Sequence, residues 1–314
     1  MDTQTINDKG ELHVVTGSDP RFAIGAWIAI WSTYKNTSEN KNLRFHLLTS
    51  DPSAPEFRKM LGLAAKWGIK LFIKPVAKDA INDLPTHRLP ISSYLRLLAP
   101  SMLPDVGQFL YLDSDVLVRS SVRPLFNVLG ENTSAAVVRD YYHYDLLGGG
   151  LLDRSPELPA HELYFNSGVM QINVQAWRDR KVSERAMAYL DFHGAAVPNG
   201  DQDALNIALL RELKELDLSW NVQLGALEYY DRVGWPPERE AVRVRKTELL
   251  NRPKIAHFIG KAKPWSDGLT MPHGRESRRS LAESGWIPKH LVIPWTIGWL
   301  ASALRATMRR RFGR

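Results

Sequence analysis

Leu12-His13-Val14-Val15, ahead of Gly17-Ser18-Asp19-Pro20, reads as a short buried strand running into a turn, and it sets the fold class. The next segment is helical: between Phe22 and Tyr34 the apolar residues Ile24, Trp27, Ile28 and Trp31 recur every three or four positions. A second strand is predicted at Leu43–Thr49. Asp51-Pro52-Ser53 then opens a helix with Phe57, Met60, Leu61 and Ala64 on its apolar face, and Lys70–Lys74 is a third strand. Strand and helix alternate here as β-α-β-α-β. That order implies a parallel sheet covered by helices, so the expected class is α/β.

Farther along, Tyr94–Leu98 is predicted helical, closed by Pro100 and Pro104. Gln108–Leu112 is a fourth strand that runs directly into Asp113-Ser114-Asp115. Open α/β sheets bind ligands beyond the carboxyl ends of their strands, so the triplet stands where a ligand is expected. Ala135–Arg139 is another strand, and Tyr141–Glu162, with Gly148-Gly149-Gly150, reads as a mobile loop. A strand at Tyr164–Asn173, one helix over Val174–Phe192, a helix opening at Asp201 and a last strand at Lys254–Phe258 complete the chain. No internal repeat or linker divides it. The expectation is one domain over residues 1–285, with residues 286–314 as a C-terminal helical tail.

Composition bounds the chemistry. At 314 residues, 44% hydrophobic and 24% charged, the chain is long enough to bury the core of one large soluble domain. It has no cysteine, so any metal must be held by oxygen and imidazole. The residues from Met1 to Gly10 carry no apolar signal core, and a run of about 20 apolar residues is absent, so a cytoplasmic protein is expected. The net charge is +7, but Arg305, Arg309, Arg310, Arg311 and Arg314 lie in the last ten residues and no carboxylate follows Glu283. The rest of the chain is near neutral, which argues against a nucleic-acid track over the folded domain.

If the backbone at the triplet is extended, Asp113 and Asp115 project to the same side. Two such carboxylates repel unless a cation stands between them, and Mg²⁺ or Mn²⁺ fits an all-oxygen pair shared with substrate phosphates. A lone Asp-x-Asp is more often a solvated turn between strands.

Its company decides. In order along the chain stand Ser93-Tyr94-Leu95-Arg96-Leu97, Phe109 to Val118, Tyr164-Phe165-Asn166-Ser167-Gly168-Val169, Gly200-Asp201-Gln202-Asp203-Ala204-Leu205-Asn206, and His257-Phe258-Ile259-Gly260-Lys261-Ala262-Lys263-Pro264-Trp265. These five segments resemble glycosyltransferase family 8, the retaining family that includes bacterial lipopolysaccharide and lipooligosaccharide galactosyl- and glucosyltransferases and glycogenin. The resemblance implies a single Rossmann-like nucleotide-sugar-binding domain of the GT-A type with a mixed, mostly parallel central sheet, a UDP-sugar donor, a glycan or glycolipid acceptor and a Mn²⁺ or Mg²⁺ cofactor. It assigns His257 as third metal ligand beside Asp113 and Asp115, and Gly260 and Lys263 to the diphosphate. Arg96, Asp201 and Gln202 are implied at the reacting centre. Ser114, Asp140 and Asn166 are implied in donor contact. A histidine is also often structural, an arginine on an apolar stretch is also satisfied by a structural carboxylate, and Asp201 at a helix start also fits an N-cap.

The first loop departs from the family pattern. Where many members carry a small residue, an acid and an Asn-Tyr pair, this chain reads Thr16-Gly17-Ser18-Asp19-Pro20. Thr16, Ser18 and Asp19 stay as base-side candidates, and uridine rests on the resemblance. Acceptor contacts are expected from Tyr141–Glu162 and Trp220–Lys246. Retention is also implied, yet the residue matched to the anomeric centre is the weakly nucleophilic amide Gln202, unlike the carboxylate of a retaining glycosidase.

Two further expectations remain. Leu291–Leu304 is apolar, holds Trp295 and Trp299, and is interrupted by Pro294 and Gly298. It is too short to span a bilayer; with the arginine cluster it reads either as an interfacial segment on an anionic inner membrane surface or as a helix packing its tryptophans on the protein itself. The competing function is a catalytically silent sugar-nucleotide binder on the same scaffold. A dinucleotide-dependent dehydrogenase fits poorly, because no Gly-x-Gly-x-x-Gly follows the first strand.

Overall fold

The computed structural model describes residues 10–77, 91–130, 132–153, 155–266 and 271–288. Strands β1 (Leu12–Gly17), β2 (Leu43–Thr49), β3 (Leu71–Pro75), β4 (Gln108–Leu112), β6 (Ala135–Arg139), β7 (Phe165–Asn173) and β8 (Leu213–Glu215) form one seven-stranded sheet. Its order is β3-β2-β1-β4-β7-β6-β8, and every strand runs parallel except β7, which is antiparallel to both neighbours. The sheet is therefore mixed and mostly parallel, as the resemblance implies, and its β1 to β3 part is parallel as the alternation predicts. A second sheet of three short strands, β5 (Val116–Val118), β10 (Ile255–His257) and β9 (Val222–Gln223), stands beside it. Of these three, β5 and β9 have too few residues to show a period in the sequence, and so does β8.

Period-two alternation splits the large sheet between two apolar layers. Val14, Phe45, Leu110, Leu112 and Val138 face helices α1 (Ala23–Asn36) and α2 (Pro55–Trp67). Val15, Leu48, Phe109, Tyr111 and Val137 face α3 (Ile91–Met102), α4 (Val174–Asp179), α5 (Val182–His193) and α6 (Asp201–Ala208). Helices α7 (Leu224–Val233), α8 (Glu240–Asn251) and α9 (Gly274–Ser284) complete the described chain.

Several boundaries differ from the sequence reading. Pro100 lies inside α3 and does not close it. The single helix expected over Val174–Phe192 is two, because Lys181 adopts φ 53° between them. The loop expected as mobile is folded: Leu146, Leu151 and Tyr164 are fully buried together, and Asp145 bridges to Leu163. Trp286 stacks on Trp27 and Ile287 packs on the core, so the folded part reaches past residue 285. The expected tail from 289 onward lies outside the described residues, as does the N-terminus before Gly10.

The triplet Asp113-Ser114-Asp115 is a turn, not extended strand, and it crosses from β4 in the large sheet to β5 in the small one. Its backbone is fixed from both sides: Asp113 N donates to Gly168 O (2.8 Å), and Phe258 N donates to Asp115 O (2.9 Å). Polar groups on α1 hold the far strand, with Val118 N donating to Ser32 Oγ (3.0 Å) and Asn36 Nδ2 to Val118 O (2.9 Å). Gly25 on the same helix admits the turn, since a Cβ there would collide with Ser114 O and the Trp265 ring. Gly25→Ala is expected to cost about 1–3 kcal/mol, the usual range for overpacking, and to weaken divalent-cation uptake. Urea unfolding and Mn²⁺ titration of the variant check this; unchanged values for both would show that the close approach constrains nothing.

Candidate active site

Every acidic side chain of the site sits at a strand end or helix start where the backbone leaves regular structure. Asp113 and Asp115 leave β4, Asp140 leaves β6, His257 ends β10, and Asp201 is the first residue of α6. Their side chains converge on a pocket of about 360 Å³, lined among others by Arg96, Asn166, Gln202 and Gly260. Thr16, Ser18, Asp19, Ser114 and Lys263 do not line it. Asp19 accepts from Arg21 N (2.8 Å) and Phe22 N (3.2 Å) and pairs with Arg21, so it caps the turn after β1. Ser18 Oγ donates to Asp19 O (2.9 Å), whereas Thr16 Oγ1 is buried with no hydrogen-bond partner among the described residues.

Asp113, Asp115 and His257 offer one ligand atom each within 4.8 Å of one another. His257 Nε2 lies 3.1 Å from Asp115 Oδ1 and 3.8 Å from Asp113 Oδ2. Gly168 makes room for this cluster, because a Cβ there would run into the His257 ring and lie 2.8 Å from Asp113 Oδ2. Two carboxylates and an imidazole are a donor set suited to a hard or borderline divalent cation. The residues present fit such an ion.

Cations of the chain balance the rest of the charge. Arg96, 6% exposed at its side chain, places one guanidinium nitrogen 2.9 Å from Asp113 Oδ1 and another 2.8 Å from Asp201 Oδ2. It also donates to Ser167 O (2.6 Å) and Ser167 Oγ (2.8 Å). Burial disfavours its charge, but Asp113 and Asp201 outweigh that and hold the guanidinium protonated more firmly than usual. Lys263 Nζ lies 2.5 Å from Asp115 Oδ2 and donates to Phe258 O (2.7 Å). Burial opposes ionisation of Asp115, yet His257 and Lys263 prevail and keep its carboxyl well below the usual range.

Asp201 behaves differently. Gly200, at φ 52°, occupies the cap position of α6, so Asp201 is not the N-cap, and the structural acid is Asp203, which accepts from Asn199 N (3.2 Å) and Nδ2 (3.1 Å). The Arg96 Nε–H is directed to Ser93 O (3.0 Å), so its 2.8 Å approach to Asp201 Oδ2 is an ion pair without an aligned hydrogen bond. Burial therefore pushes the Asp201 carboxyl up to about 7, against the pull of Arg96.

Elsewhere in the pocket, Asp140 Oδ1 accepts from Tyr142 N (2.9 Å) and His143 N (2.8 Å), and Oδ2 from Asn166 Nδ2 (3.1 Å) and Gln202 Nε2 (3.2 Å). Gln202 Oε1 accepts from Asn166 Nδ2 (3.2 Å) and Ser167 N (3.1 Å). Tyr164 Oη lies 3.3 Å from Gln202 Nε2 and donates to Asp203 Oδ1 (2.5 Å). Gly260, at φ 96° with open space where a Cβ would stand, leaves its backbone free for close approach by a ligand.

Residues 13–268 match the family model described as glycosyl transferase family 8, which is most of the chain. The chain belongs to glycosyltransferase family 8. It is 26% identical over 303 residues to the lipopolysaccharide 1,3-galactosyltransferase of Salmonella typhimurium, covering 92% of this chain and 83% of that one. To the lipopolysaccharide 1,2-glucosyltransferase of Escherichia coli it is 26% identical over 284 residues, covering 90% and 80%. General stress protein A of Bacillus subtilis matches at 23% over 281 residues, covering 88% and 94%. Among solved structures, galactosyltransferase LgtC with donor and acceptor sugar analogs superposes with a TM-score of 0.71 at 20% identity, covering 88% of this chain and 96% of that one. That likeness shows the GT-A fold. The family-8 protein is a glycosyltransferase.

Asn221 had no signal in the sequence beyond its place in a segment expected to serve the acceptor. It is wholly buried and joins His257 to Asn166, bonded to each at 2.9 Å.

The raised carboxyl of Asp201 has a sign. A buried acid with a folded value of about 7 against 3.8 when unfolded favours the folded state in its protonated form. Its contribution to stability is complete below 3.8 and is lost as pH rises through about 7. Asp201→Asn is expected to remove that decline, seen as a flatter dependence of Tm on pH between about 4 and 7. Parallel profiles for both proteins would mean that Arg96 keeps Asp201 ionised throughout.

Proposed function

We propose that this glycosyltransferase moves a hexose, galactose or glucose, from a UDP-sugar to a glycan or glycolipid acceptor, with retention at the anomeric carbon and dependence on Mn²⁺ or Mg²⁺. Cell-surface polysaccharide or lipopolysaccharide synthesis is the setting that its relatives suggest. One observation carries the reading: a cation-competent Asp113, Asp115 and His257 cluster opens on the same pocket as Asp140, Asn166, Asp201 and Gln202, whose amides and carboxylates match sugar hydroxyls.

Asp113, Asp115 and His257 would hold the ion, which when bound neutralises charge on the donor diphosphate. The protein does the remaining work. Arg96 and Lys263 are the cations beside these carboxylates, and they stabilise negative charge that grows on the diphosphate as the sugar departs. The Gly260 backbone fits close contact with the same group. Asp140, Asn166, Asp201 and Gln202 orient the sugar. No carboxylate is matched to the nucleophile position of a retaining glycosidase. The proposed step is therefore front-face: the C1–phosphate oxygen bond breaks, the acceptor oxygen bonds C1 on the same face, and its proton passes to the departing diphosphate oxygen.

The double change Asp113→Asn with Asp115→Asn is expected to abolish Mn²⁺-dependent turnover of UDP-hexoses, a loss of at least about 10²-fold for removed charge stabilisation. Hydrolysis of a donor panel by mass spectrometry, with and without Mn²⁺, measures this and names the sugar. Undiminished transfer by the folded variant would overturn the proposal.

We further propose a cytoplasmic enzyme that rests on an anionic membrane surface through residues 289–314. No helix among the described residues is long and apolar enough to cross a membrane. Where the described chain ends, Trp286 and Pro288 border a groove shared with Lys59, Lys66 and Trp67, and Lys59 Nζ stands 4.8 Å over the Trp286 ring. Lysines and tryptophans are the side chains that suit a lipid headgroup boundary. Each arginine of the tail contributes about 1 kcal/mol near such a surface. Full-length protein should co-sediment with vesicles containing phosphatidylserine and be released by salt, while a chain ending at Pro288 should not. Equal binding by both removes the tail from this role.

A further inference from the structure

We propose that Asn221 is a positioning residue whose one buried amide sets both the metal-facing nitrogen of His257 and the amide of Asn166 in the sugar pocket. This rests on reading Asp113, Asp115 and His257 as cation ligands.

The polarity of the chain of hydrogen bonds is set by a group that cannot be reversed. The main-chain N–H of Gly168 only donates, and it donates to Asn166 Oδ1 (3.1 Å). That fixes which end of the Asn166 amide is oxygen. The same oxygen lies 2.9 Å from Asn221 Nδ2, which must therefore be the donor. Asn221 Oδ1 is then the atom 2.9 Å from His257 Nδ1, so Nδ1 carries the hydrogen. In the neutral ring Nε2 is left with its lone pair, and Nε2 is the nitrogen turned to Asp113 and Asp115. A second anchor at the other end agrees. Asp140 accepts there from both Asn166 Nδ2 (3.1 Å) and Gln202 Nε2 (3.2 Å), so the Asn166 amide again has its nitrogen on the pocket side.

Asn221 has no exposed surface, and His257 is 3% exposed. Water is not at hand to replace a lost partner, so each buried amide atom depends on the next. Metal-ligating imidazoles are oriented by what accepts from their other nitrogen. In this chain that acceptor belongs to an amide whose other end is committed to Asn166. Cation binding and sugar recognition are thus tied to one side chain that is itself neither a member of the ion cluster nor part of the pocket lining.

Two variants separate the halves. Asn221→Ala removes both contacts. Asn221→Asp keeps an acceptor for His257 Nδ1 but sets a second oxygen against Asn166 Oδ1, which must turn or shift. Mn²⁺ affinity is read by calorimetry on the purified full chain, and kcat and KM by hydrolysis of UDP-galactose and UDP-glucose. Asn221→Ala is expected to bind Mn²⁺ about 10–100-fold more weakly, the usual effect of losing such a partner. Asn221→Asp should bind it as tightly as wild type or tighter, while its KM for the preferred donor rises and its preference between the two sugars narrows. Wild-type affinity in Asn221→Ala, or equal losses of Mn²⁺ affinity in both variants, overturns the assignment. So does unaltered sugar preference in Asn221→Asp. Wild-type protein that takes up no Mn²⁺ overturns the cation reading itself, and this assignment with it.

Discussion

Negative charge packed where two sheets meet is the constraint on which this structure depends. Asp113, Asp115, Asp140 and Asp201 share one pocket, and Asp140 and Asp201 are each only 2% exposed. Unpaired, a buried carboxylate costs several kcal/mol, and removing one partner of a buried pair typically costs about 3–5 kcal/mol. The chain answers each acid separately. Asp140 takes two backbone N–H groups and two amides, Asp115 takes Lys263 and His257, and Arg96 bridges Asp113 to Asp201. Asp201 receives the poorest share, which is why burial dominates its carboxyl.

The fold exists around that cluster in a concrete sense. The acidic turn is the covalent path from β4 to β5, so it joins the two sheets while carrying two of the three side chains able to hold a cation. Gly25 lets α1 press on the turn, and Gly168 leaves the space into which the His257 ring and Asp113 project. Larger residues would push the sheets apart at the point where the side chains must converge. Site geometry and core packing are here the same set of contacts.

A reaction that separates a sugar from a diphosphate needs positive charge held in place before the bond breaks, because reorganising it during the step is costly. Arg96 and Lys263 are held that way by carboxylates and carbonyls. The same pairing fixes both cations in the protein alone. A network of amides has the matching property: Gln202 and Asn166 are fully engaged, yet both line the pocket.

Much of this was legible in the chain. Strong apolar periods in Leu12–Lys74 set the parallel half of the sheet, and Asp113, Asp115 and His257 were nameable because five segments stand in a recognisable order. Less legible were the short strands Val116–Val118, Leu213–Glu215 and Val222–Gln223, whose pairing comes from neighbours distant in sequence. The break at Lys181 is a backbone choice that an unbroken helical pattern conceals. Asn221 was invisible for a related reason: an amide has no motif, and its meaning arises only when His257 and Asn166, 36 and 55 residues away, close on it. Sequence by itself determined the fold class, the family and the residue types able to hold a cation and a diphosphate, since these depend on local periodicity and side-chain chemistry. Tertiary structure alone decided which atoms face each other, because hydrogen-bond polarity and charge balance belong to groups brought together by folding.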